Sequence, residues 1–152
     1  MTDTVAPPKI ELLTFRLADQ EYALDIMSVR EIRGWTQATP LPHAPHYMKG
    51  VINLRGTVLP VMDLGARLDL AAREQTARNV IIVVKHEDSM TGLLVDAVSD
   101  IVALTSNDLQ APPEISPGQS SGVVSALTLI DKRMIRVLNL AATIVVQEGI
   151  AA

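Results

Sequence analysis

The first part of the chain alternates apolar and polar residues with the period of a β-strand. In ELLTFRLA (residues 11–18), leucine and phenylalanine alternate with threonine and arginine, as in a strand that buries one face. The polar pair at residues 19–20 favours a turn into a second strand, EYALDI. Asp25 then stands where a carboxylate can cap a short helical turn over IMSV, before REIRGW resumes an extended path.

Apolar arms joined by short bends continue this pattern along the chain. GVINLRGTVLPVMDL (residues 50–64) predicts two strands that reverse at Arg55-Gly56, since glycine provides the backbone freedom of a tight turn. The following DLGARLDLA fits a short helical connection. Two further strand pairs are predicted within residues 77–98 and 122–140, and the tail LAATIVVQEG fits either a helix or a strand.

The order of the predicted elements occurs twice. Val29 in ALDIMSVREI matches Val98 in GLLVDAVSDI, 69 positions later. Each copy continues into a proline-rich segment, which is predicted to be a loop because proline cannot donate to a β-ladder. Gly50 then aligns with Gly122 at an offset of 72, and VLPVMDL aligns with MIRVLNL at an offset of 76. A repeat of short strands with a period of about 70 residues predicts two similar small β-barrels.

We therefore expect an all-β fold of two five-stranded barrels packed together, with short helical connections and a helix as one option for the tail. The expected division is a flexible leader at 1–11, a first barrel at 12–78 and a second barrel at 79–148, which together form one domain over 12–148. One unit of this size is near the lower limit for an independent core. The two barrels are therefore expected to share aliphatic surface.

Composition narrows the kind of core and the kinds of partner. The 152 residues are 48% hydrophobic but only 3% aromatic, so the core must consist of valine, isoleucine and leucine. A net charge of −4 without a basic block argues against a nucleic-acid partner. The absence of cysteine excludes disulfides and fits a reducing compartment, and the longest apolar run, NVIIVV, is too short to span a bilayer. We expect a cytoplasmic protein without direct membrane insertion.

The residues give no pattern that predicts catalysis. His43 and His46 form an HxxH, but prolines flank both histidines and no helix presents them on one face, so we interpret them as polar loop residues. Glycine-rich phosphate loops and the GxSxG motif are absent. Asp63 and Asn139 stand at matching strand ends, and since asparagine cannot act as a carboxylate base, both are predicted to cap the following helical turn. We expect no enzymatic activity, no cofactor and no metal.

Arg55, at the bend of the hairpin, has two interpretations. In the first, it is a solvent-facing turn residue beside Gly56. In the second, it is a contact presented to another protein, because arginine makes several charge-assisted hydrogen bonds and is enriched at the centres of interfaces. Glu31, on the strand after the first helical turn, is a candidate partner for it. A surface ion pair contributes only about 0–1 kcal/mol to stability, so a pair here would orient Arg55 rather than stabilise the fold.

These segments resemble a known family. GVINLRGTVLPVMDL, with DIMSVREI upstream and GLLVDAV downstream, is similar to the CheW family of chemotaxis coupling proteins over residues 12–146. NLRG-x-VLPV is the specific motif, and the other segments are weaker signals. The resemblance implies two SH3-like β-barrels packed together, which agrees with the internal repeat.

The resemblance also implies partners and site residues. Members of the family join the regulatory domain of the histidine kinase CheA to the cytoplasmic tips of chemoreceptors, the methyl-accepting chemotaxis proteins, without catalytic activity of their own. By position in the motifs, the residues implied in these protein contacts are Arg55, Glu31, Val29, Gly50 and Gly56.

The chain departs from the family pattern at two positions. Gly65 replaces a common arginine after VMDL, and Asn139 replaces a common aspartate near the end. The glycine raises the question of whether polar contacts on the receptor side differ in this chain.

Three functional readings remain open. The first is a coupling scaffold of chemotaxis or of a related pathway, such as one that drives motility by pili. The second is a regulatory fragment of a larger signalling protein, although the polar leader and short tail lead us to expect a complete chain. The third is a small β-barrel enzyme or ligand-binding protein, which requires a pocket with convergent polar groups.

Overall fold

The part of the chain that the structure describes forms ten β-strands and a few short helical turns. A computed structural model describes residues 9–70, 76–113 and 122–144. The strands are β1 Lys9–Leu17, β2 Gln20–Asp25, β3 Val29–Gly34, β4 Met48–Leu54, β5 Thr57–Asp63, β6 Val80–His86, β7 Ser89–Val95, β8 Ala97–Thr105, β9 Val124–Ile130 and β10 Arg133–Leu138. The helical elements are 3-10 turns at Ile26–Ser28 and Ser106–Asp108, helix α1 at Leu64–Arg67 and helix α2 at 140–144. The described residues contain no helix long and apolar enough to cross a membrane.

Two five-stranded sheets are built from these strands, and each takes strands from both halves of the chain. One sheet has the order β8-β1-β2-β10-β9 and the other β3-β6-β7-β5-β4. Each therefore combines the first hairpin of one half with the last three strands of the other half. The central strand of each sheet pairs in parallel with one neighbour: β2 with β10 in the first sheet, and β7 with β5 in the second.

This exchange of hairpins changes the predicted division of the chain. The ranges 12–78 and 79–148 do not coincide with the two sheets, because β1 and β2 pair with strands of the second half. The predicted leader, 1–11, is also too long, since residues 9–11 pair with β8; residues 1–8 lie outside the described part. Local periodicity identified the strands but carried no information on which copy each hairpin joins.

Each sheet closes into a barrel through one pair of residues, in which a residue beyond one edge strand pairs with a residue of the other edge strand. Thr39 and Val51 exchange backbone hydrogen bonds of 2.8 and 2.9 Å, and Gln110 and Leu127 do the same at 2.8 and 2.7 Å. These bridges join the segment after β3 to β4 and the segment after β8 to β9. We call the closed units the β1 barrel (β8-β1-β2-β10-β9) and the β6 barrel (β3-β6-β7-β5-β4). The prediction of two five-stranded barrels is confirmed.

The duplication extends to irregularities of the strands. The β3–β6 pairing shifts between Val29 and Glu31, and the β1–β8 pairing shifts opposite the matching residues Val98 and Asp100. The alignment of Gly50 with Gly122 is wrong, however. Gly50 pairs with Val61 after a register shift in β4, and in the second copy Ala126 pairs with Val137 next to the corresponding shift. Both strands of this hairpin are therefore displaced by the same number of residues between the two copies, the offset found for VLPVMDL and MIRVLNL. Ala126 is the structural equivalent of Gly50.

Three hydrophobic clusters of the described residues form the core; they are mainly aliphatic, but the largest also contains aromatic side chains, so the expectation of a core of only valine, isoleucine and leucine is too narrow. The largest lies between the barrels and includes Leu13, Phe15 and Leu24 from the β1 barrel with Ile82 and Leu93 from the β6 barrel. Two smaller clusters fill the barrel interiors. Strands such as β6 contribute alternate residues to the shared cluster and to their own barrel, so they are apolar on both faces. The predicted shared aliphatic surface is confirmed.

Short polar caps define the ends of the helical turns. Asp25 Oδ1 accepts a hydrogen bond of 2.9 Å from the Met27 N–H, as predicted. Asp63 and Asn139 play equivalent roles, since their Oδ1 atoms accept hydrogen bonds of 3.2 Å from Ala66 N–H and Ala142 N–H respectively. The predicted capping roles are confirmed, and the described part of the tail, α2, is helical.

Candidate functional site: an oriented arginine at a hairpin tip

Arg55 lies at the tip of the β4–β5 hairpin, in a two-residue loop. Leu54 and Thr57 are paired, so Arg55 and Gly56 form the whole loop. Both have positive φ, 50° and 88°, the backbone combination of the type I′ turn that matches the twist of a hairpin. Asn53 stabilises the turn, because its Oδ1 accepts a hydrogen bond of 2.8 Å from the Gly56 N–H. The tip is therefore a defined structure that presents Arg55.

Glu31 on β3 receives a guanidinium group at each carboxylate oxygen. Arg55 Nη2 donates to Glu31 Oε1 at 2.6 Å, and Arg33 Nη1 donates to Oε2 at 3.2 Å. The Arg55 side chain remains 68% exposed while that of Glu31 is 27% exposed. The predicted contact between Arg55 and Glu31 is confirmed. Two cations on one carboxylate leave a net positive charge at this edge of the β6 barrel.

The electrostatics of the cluster favour its charged form. Hydrogen bonds from Arg55 and then from Arg33 lower the pKa of the Glu31 carboxyl below its ordinary value, and partial desolvation opposes this without reversing it. The hydrogen bond to Glu31 raises the pKa of the Arg55 guanidinium. Glu31 therefore remains ionised near neutral pH and holds one edge of the Arg55 guanidinium.

The register shift in β3 separates Val29 from Glu31. Val29 is opposite Val84, which belongs to the cluster between the barrels, whereas Glu31 is opposite Val83, which belongs to the interior of the β6 barrel. In a regular strand, residues two apart share one face, but here the inserted residue Arg30 places them on opposite faces. Val29 is half-buried and packs against the shared core, while Glu31 lies towards the barrel end that the hairpin tip reaches.

The two predicted glycines have different structural roles. Gly56 is exposed, and a Cβ built on it would have nothing within 4 Å. Gly50 is buried with φ +139°, and a Cβ there would lie 2.1 Å from the Thr39 carbonyl oxygen. Gly50 thus permits a close backbone approach, but to the chain's own closing segment. Of the five predicted residues, the structure brings Arg55, Gly56 and Glu31 together at the tip.

Sequence reasoning missed Arg33, the second cation on Glu31. Strand alternation between Glu31 and Arg33 was the available signal, because residues two apart in a regular strand share a face. An exposed apolar residue also flanks the tip: Val58, paired with Asn53, is 68% exposed. The site therefore combines a cationic edge with apolar surface.

The second copy has a different tip. Asp131 and Lys132 form the two-residue loop between β9 and β10, both with positive φ. The carboxylate of Asp100, which matches Glu31, accepts a hydrogen bond from the Ile101 N–H instead. The arginine next to this tip, Arg133, pairs with the buried Glu21 at 2.8 Å. The duplicated backbone thus carries an exposed, oriented arginine at the first tip only.

One departure from the family pattern lies in α1, and the other is the residue that caps α2. Gly65 is a buried residue of α1, so it adds no polar side chain there. Arg67, two positions further on, donates hydrogen bonds to the carbonyl oxygens of Thr143 and Ala142 in α2. Asn139 retains the capping role that an aspartate would have. Neither departure touches the hairpin tip.

The fold and the tip define a class: a duplicated pair of closed β-barrels that presents an oriented charged loop, with no three metal-binding side chains grouped together anywhere in the described residues. Comparison with known proteins gives the particular family. Residues 11–148 match the model of the CheW-like domain, and the chain belongs to this family.

Similar proteins agree with this assignment. The chain is 52% identical over 142 residues to the "Probable chemotaxis protein CheW" of Rhizobium etli, covering 93% of this chain and 92% of that protein. It is 49% identical to the "Chemotaxis protein CheW" of Rhizobium meliloti over the same shares. The crystal structure of the scaffolding protein TtCheW from Thermoanaerobacter tengcongensis superposes with a TM-score of 0.80 at 30% identity, covering 88% of this chain and 90% of that one. The predicted family and SH3-like double-barrel fold are confirmed.

Proposed function

We propose that this chain is a non-catalytic adaptor that couples chemoreceptors to the histidine kinase CheA and so builds receptor–kinase arrays in the cytoplasm. Membership of the CheW-like family and the names of its relatives support a scaffold of chemotaxis. The partners we propose are the regulatory domain of the kinase and the cytoplasmic tips of the receptors.

The observation that carries the proposal is the orientation of Arg55. One of its nitrogens is held by Glu31, whereas a guanidinium has five N–H donors in a rigid fork. Because the side chain is largely exposed, the remaining donors can bind a partner's carboxylate or the carbonyl groups at a helix C-terminus. A pair at the surface contributes little to stability, so its role is to set the direction of the contact.

The other residues predicted at the site support this contact, one from within the hairpin loop and two from the core and the wall of the barrel. Gly56 allows the tight loop, Val29 anchors β3 to the shared core, and Gly50 admits the segment that closes the barrel. In this proposal Gly50 acts indirectly, since its position in the barrel wall is buried. Arg33 and Val58 are added to the contact surface because they flank Glu31 and the tip.

The test measures binding of purified protein to the kinase regulatory domain, binding to a receptor-tip fragment and, in a mixture of all three proteins, activation of the kinase. Arg55→Glu is compared with Lys132→Glu, which makes the same change of charge in the equivalent loop of the other barrel. We expect Arg55→Glu to fold normally and to weaken receptor binding or kinase activation at least tenfold, and Lys132→Glu to leave receptor binding within twofold of wild type.

A charge-exchange variant separates presentation from pairing. Arg55→Glu combined with Glu31→Arg restores an ion pair across β3 and the hairpin tip but removes the exposed cation from the tip. We expect it to remain defective. If the exchange restored binding, Arg55 would act only through its pair with Glu31, and if wild type bound neither partner the coupling role would be wrong.

A second candidate is a coupling protein of a related chemosensory pathway, such as one controlling motility by pili. The observation that favours it is 33% identity over 84 residues to "Protein PilI" of Pseudomonas aeruginosa, covering 55% of this chain and 47% of that protein. Binding assays against the kinases and receptors of each pathway in the source organism would distinguish the two.

A further inference from the structure

The β1 barrel has a cleft of about 360 Å³ beside the turn between β1 and β2. It lies where the pairing of β2 with β10 ends. The residues of β10 that pair with β2 are 135–137, so the first two residues of this strand, Arg133 and Met134, line the cleft without pairing to β2. The volume lies at the lower end of the range for pockets that bind small molecules, roughly 300–1,000 Å³.

Arginine side chains dominate the lining of this cleft. Three lining residues are arginines, Arg16, Arg133 and Arg136, and two are acidic, Asp19 and Glu21, so the lining carries a net positive charge in a chain whose net charge is −4. The carboxylate of the buried Glu21 is already neutralised, because Arg133 Nη1 donates to both of its oxygens at 2.8 and 2.9 Å. Asp19, at the exposed turn, is then the single carboxylate of the lining that faces two further arginines.

These two arginines keep their hydrogen-bond donors. Within the described ranges, the side chains of Arg16 and Arg136 make no hydrogen bond or ion pair. The Arg136 guanidinium is placed by an aromatic ring, since its central carbon lies 5.4 Å from the ring centroid of Tyr22, and a guanidinium over a ring can still donate in its own plane. The Tyr22 hydroxyl donates to Gln20 Oε1 at 2.7 Å, which leaves the amide nitrogen of Gln20 as another donor at the cleft.

Arg16 and Arg136 approach the cleft from opposite faces of the sheet. Arg16 is opposite Glu21 and Arg136 is opposite Tyr22, and consecutive residues of a strand point to opposite faces. Residues of both faces line the cleft because β10 is not paired to β2 at this end. An anion in the cleft would therefore lie between two cations, each of which presents a planar fork that fits two oxygens of one group.

We propose that this cleft is a binding site for a compact oxyanion, the phosphate or carboxylate group of a small molecule. Its oxygens would accept hydrogen bonds from Arg16, Arg136 and Gln20, while Arg133 stays with its buried carboxylate. The site belongs to the β1 barrel, whereas the tip that presents Arg55 belongs to the β6 barrel. It is therefore a second site, and it goes beyond the adaptor function.

The test titrates the purified full-length chain with inorganic phosphate and, separately, with malonate. Chloride is the only other anion, and the ionic strength is held constant because salt screens exposed charges. NMR shifts of the arginine Nε–H groups report binding in wild type. We expect saturable shifts at Arg16 and Arg136 with Kd on the order of 1–10 mM, and the anion with the lower Kd identifies phosphate or carboxylate as the preferred group.

Three variants, each with one changed charge, provide the site control. Arg16→Gln removes one of the two unpaired cations and should weaken binding at least fivefold. Asp19→Asn removes the carboxylate that repels the anion and should tighten binding at least twofold. Arg78→Gln makes the same change of charge as Arg16→Gln at an exposed arginine outside the cleft, and should leave Kd within twofold of wild type. Arg16 and Asp19 are exposed, so both site variants should fold.

Three results would overturn the proposal. The first is no saturable shift at Arg16 and Arg136 in wild type up to about 20-fold above the expected Kd. The second is equal weakening by Arg16→Gln and Arg78→Gln, which would show an effect of overall charge. The third is unchanged or weaker binding in Asp19→Asn, which would place the anion elsewhere. None of these measurements uses the kinase or a receptor, so failure here is distinct from failure of the adaptor function.

Discussion

Replacing Gly50 by alanine tests whether barrel closure depends on a missing side chain. An alanine Cβ at this position would lie 2.1 Å from the Thr39 carbonyl oxygen and 2.9 Å from the Pro40 nitrogen. Both are backbone atoms, so they cannot move aside as the end of a flexible side chain can. The substitution must therefore shift the segment that Thr39 and Val51 fasten to β4 with two hydrogen bonds.

The expected cost has two parts. The positive φ of Gly50 penalises any side chain by about 1–3 kcal/mol. Loss of the two bridging hydrogen bonds adds roughly 0.5–1.5 kcal/mol each. The sum is about 2–6 kcal/mol, and at roughly 2–4 °C per kcal/mol for a chain of this size the melting temperature should fall by about 4–24 °C.

Gly56→Ala is the matched control. Gly56 also has positive φ, but an added Cβ there would have nothing within 4 Å, so only the backbone term of about 1–3 kcal/mol applies. Urea denaturation followed by far-ultraviolet circular dichroism gives the free energy of unfolding of both variants. Equal losses in the two variants would show that the contact with Thr39 is not what requires glycine, and the explanation of Gly50 would be wrong.

Three further predictions concern the charged groups. In urea denaturation, Arg133→Met should lower the free energy of unfolding by about 1–3 kcal/mol more than Glu21→Gln does. The Glu21 side chain is 7% exposed and that of Arg133 is 51% exposed, so removing the arginine leaves a buried carboxylate unpaired, whereas Glu21→Gln leaves only an exposed guanidinium without its charged partner. Equal losses in the two variants would contradict this reasoning. The pKa of the Glu31 carboxyl is lowered in the folded state. The contribution of this group to stability is therefore present above the unfolded pKa of 4.5 and disappears as pH falls through the folded pKa. In a carboxyl NMR titration, Arg55→Ala should move the pKa of Glu31 back towards 4.5, and an unchanged pKa would contradict the assigned hydrogen bond. Asp63→Ala should lower the free energy of unfolding by about 0.5–2 kcal/mol while Asp63→Asn has little effect, since the amide retains the capping oxygen; equal losses in both variants would exclude the capping explanation.

Much of the local structure was predictable because it depends on neighbours in sequence. Alternation of apolar and polar residues identified β1. Runs that are apolar at successive positions identified strands such as β6, which are buried on both faces. The capping residues and the two-residue turn at Arg55 follow from the preferences of Asp, Asn and Gly for particular backbone positions. Glu31 was a candidate partner of Arg55 because the two side chains carry opposite charges, and the family resemblance separately implied both residues in protein contacts.

The failures have other origins. Gly122 was matched to Gly50 by letter, whereas the hydrogen-bonded register makes Ala126 its equivalent. Arg33 was missed although strand alternation places it on the face of Glu31, because attention went to Arg55, which the hairpin tip brings to the same carboxylate. The need for glycine at position 50 is set by Thr39, eleven positions away, through a contact that no local pattern encodes.

By itself, the sequence determined that this protein is a duplicated set of short aliphatic strands with an arginine at one bend. Only the tertiary structure decided that each barrel takes its first hairpin from the other half of the chain. The physical reason is that strands buried on both faces present similar apolar surfaces to either copy, so their partner is selected by the packing of the whole core. That same packing brings Glu31 to the tip and closes the barrel over Gly50.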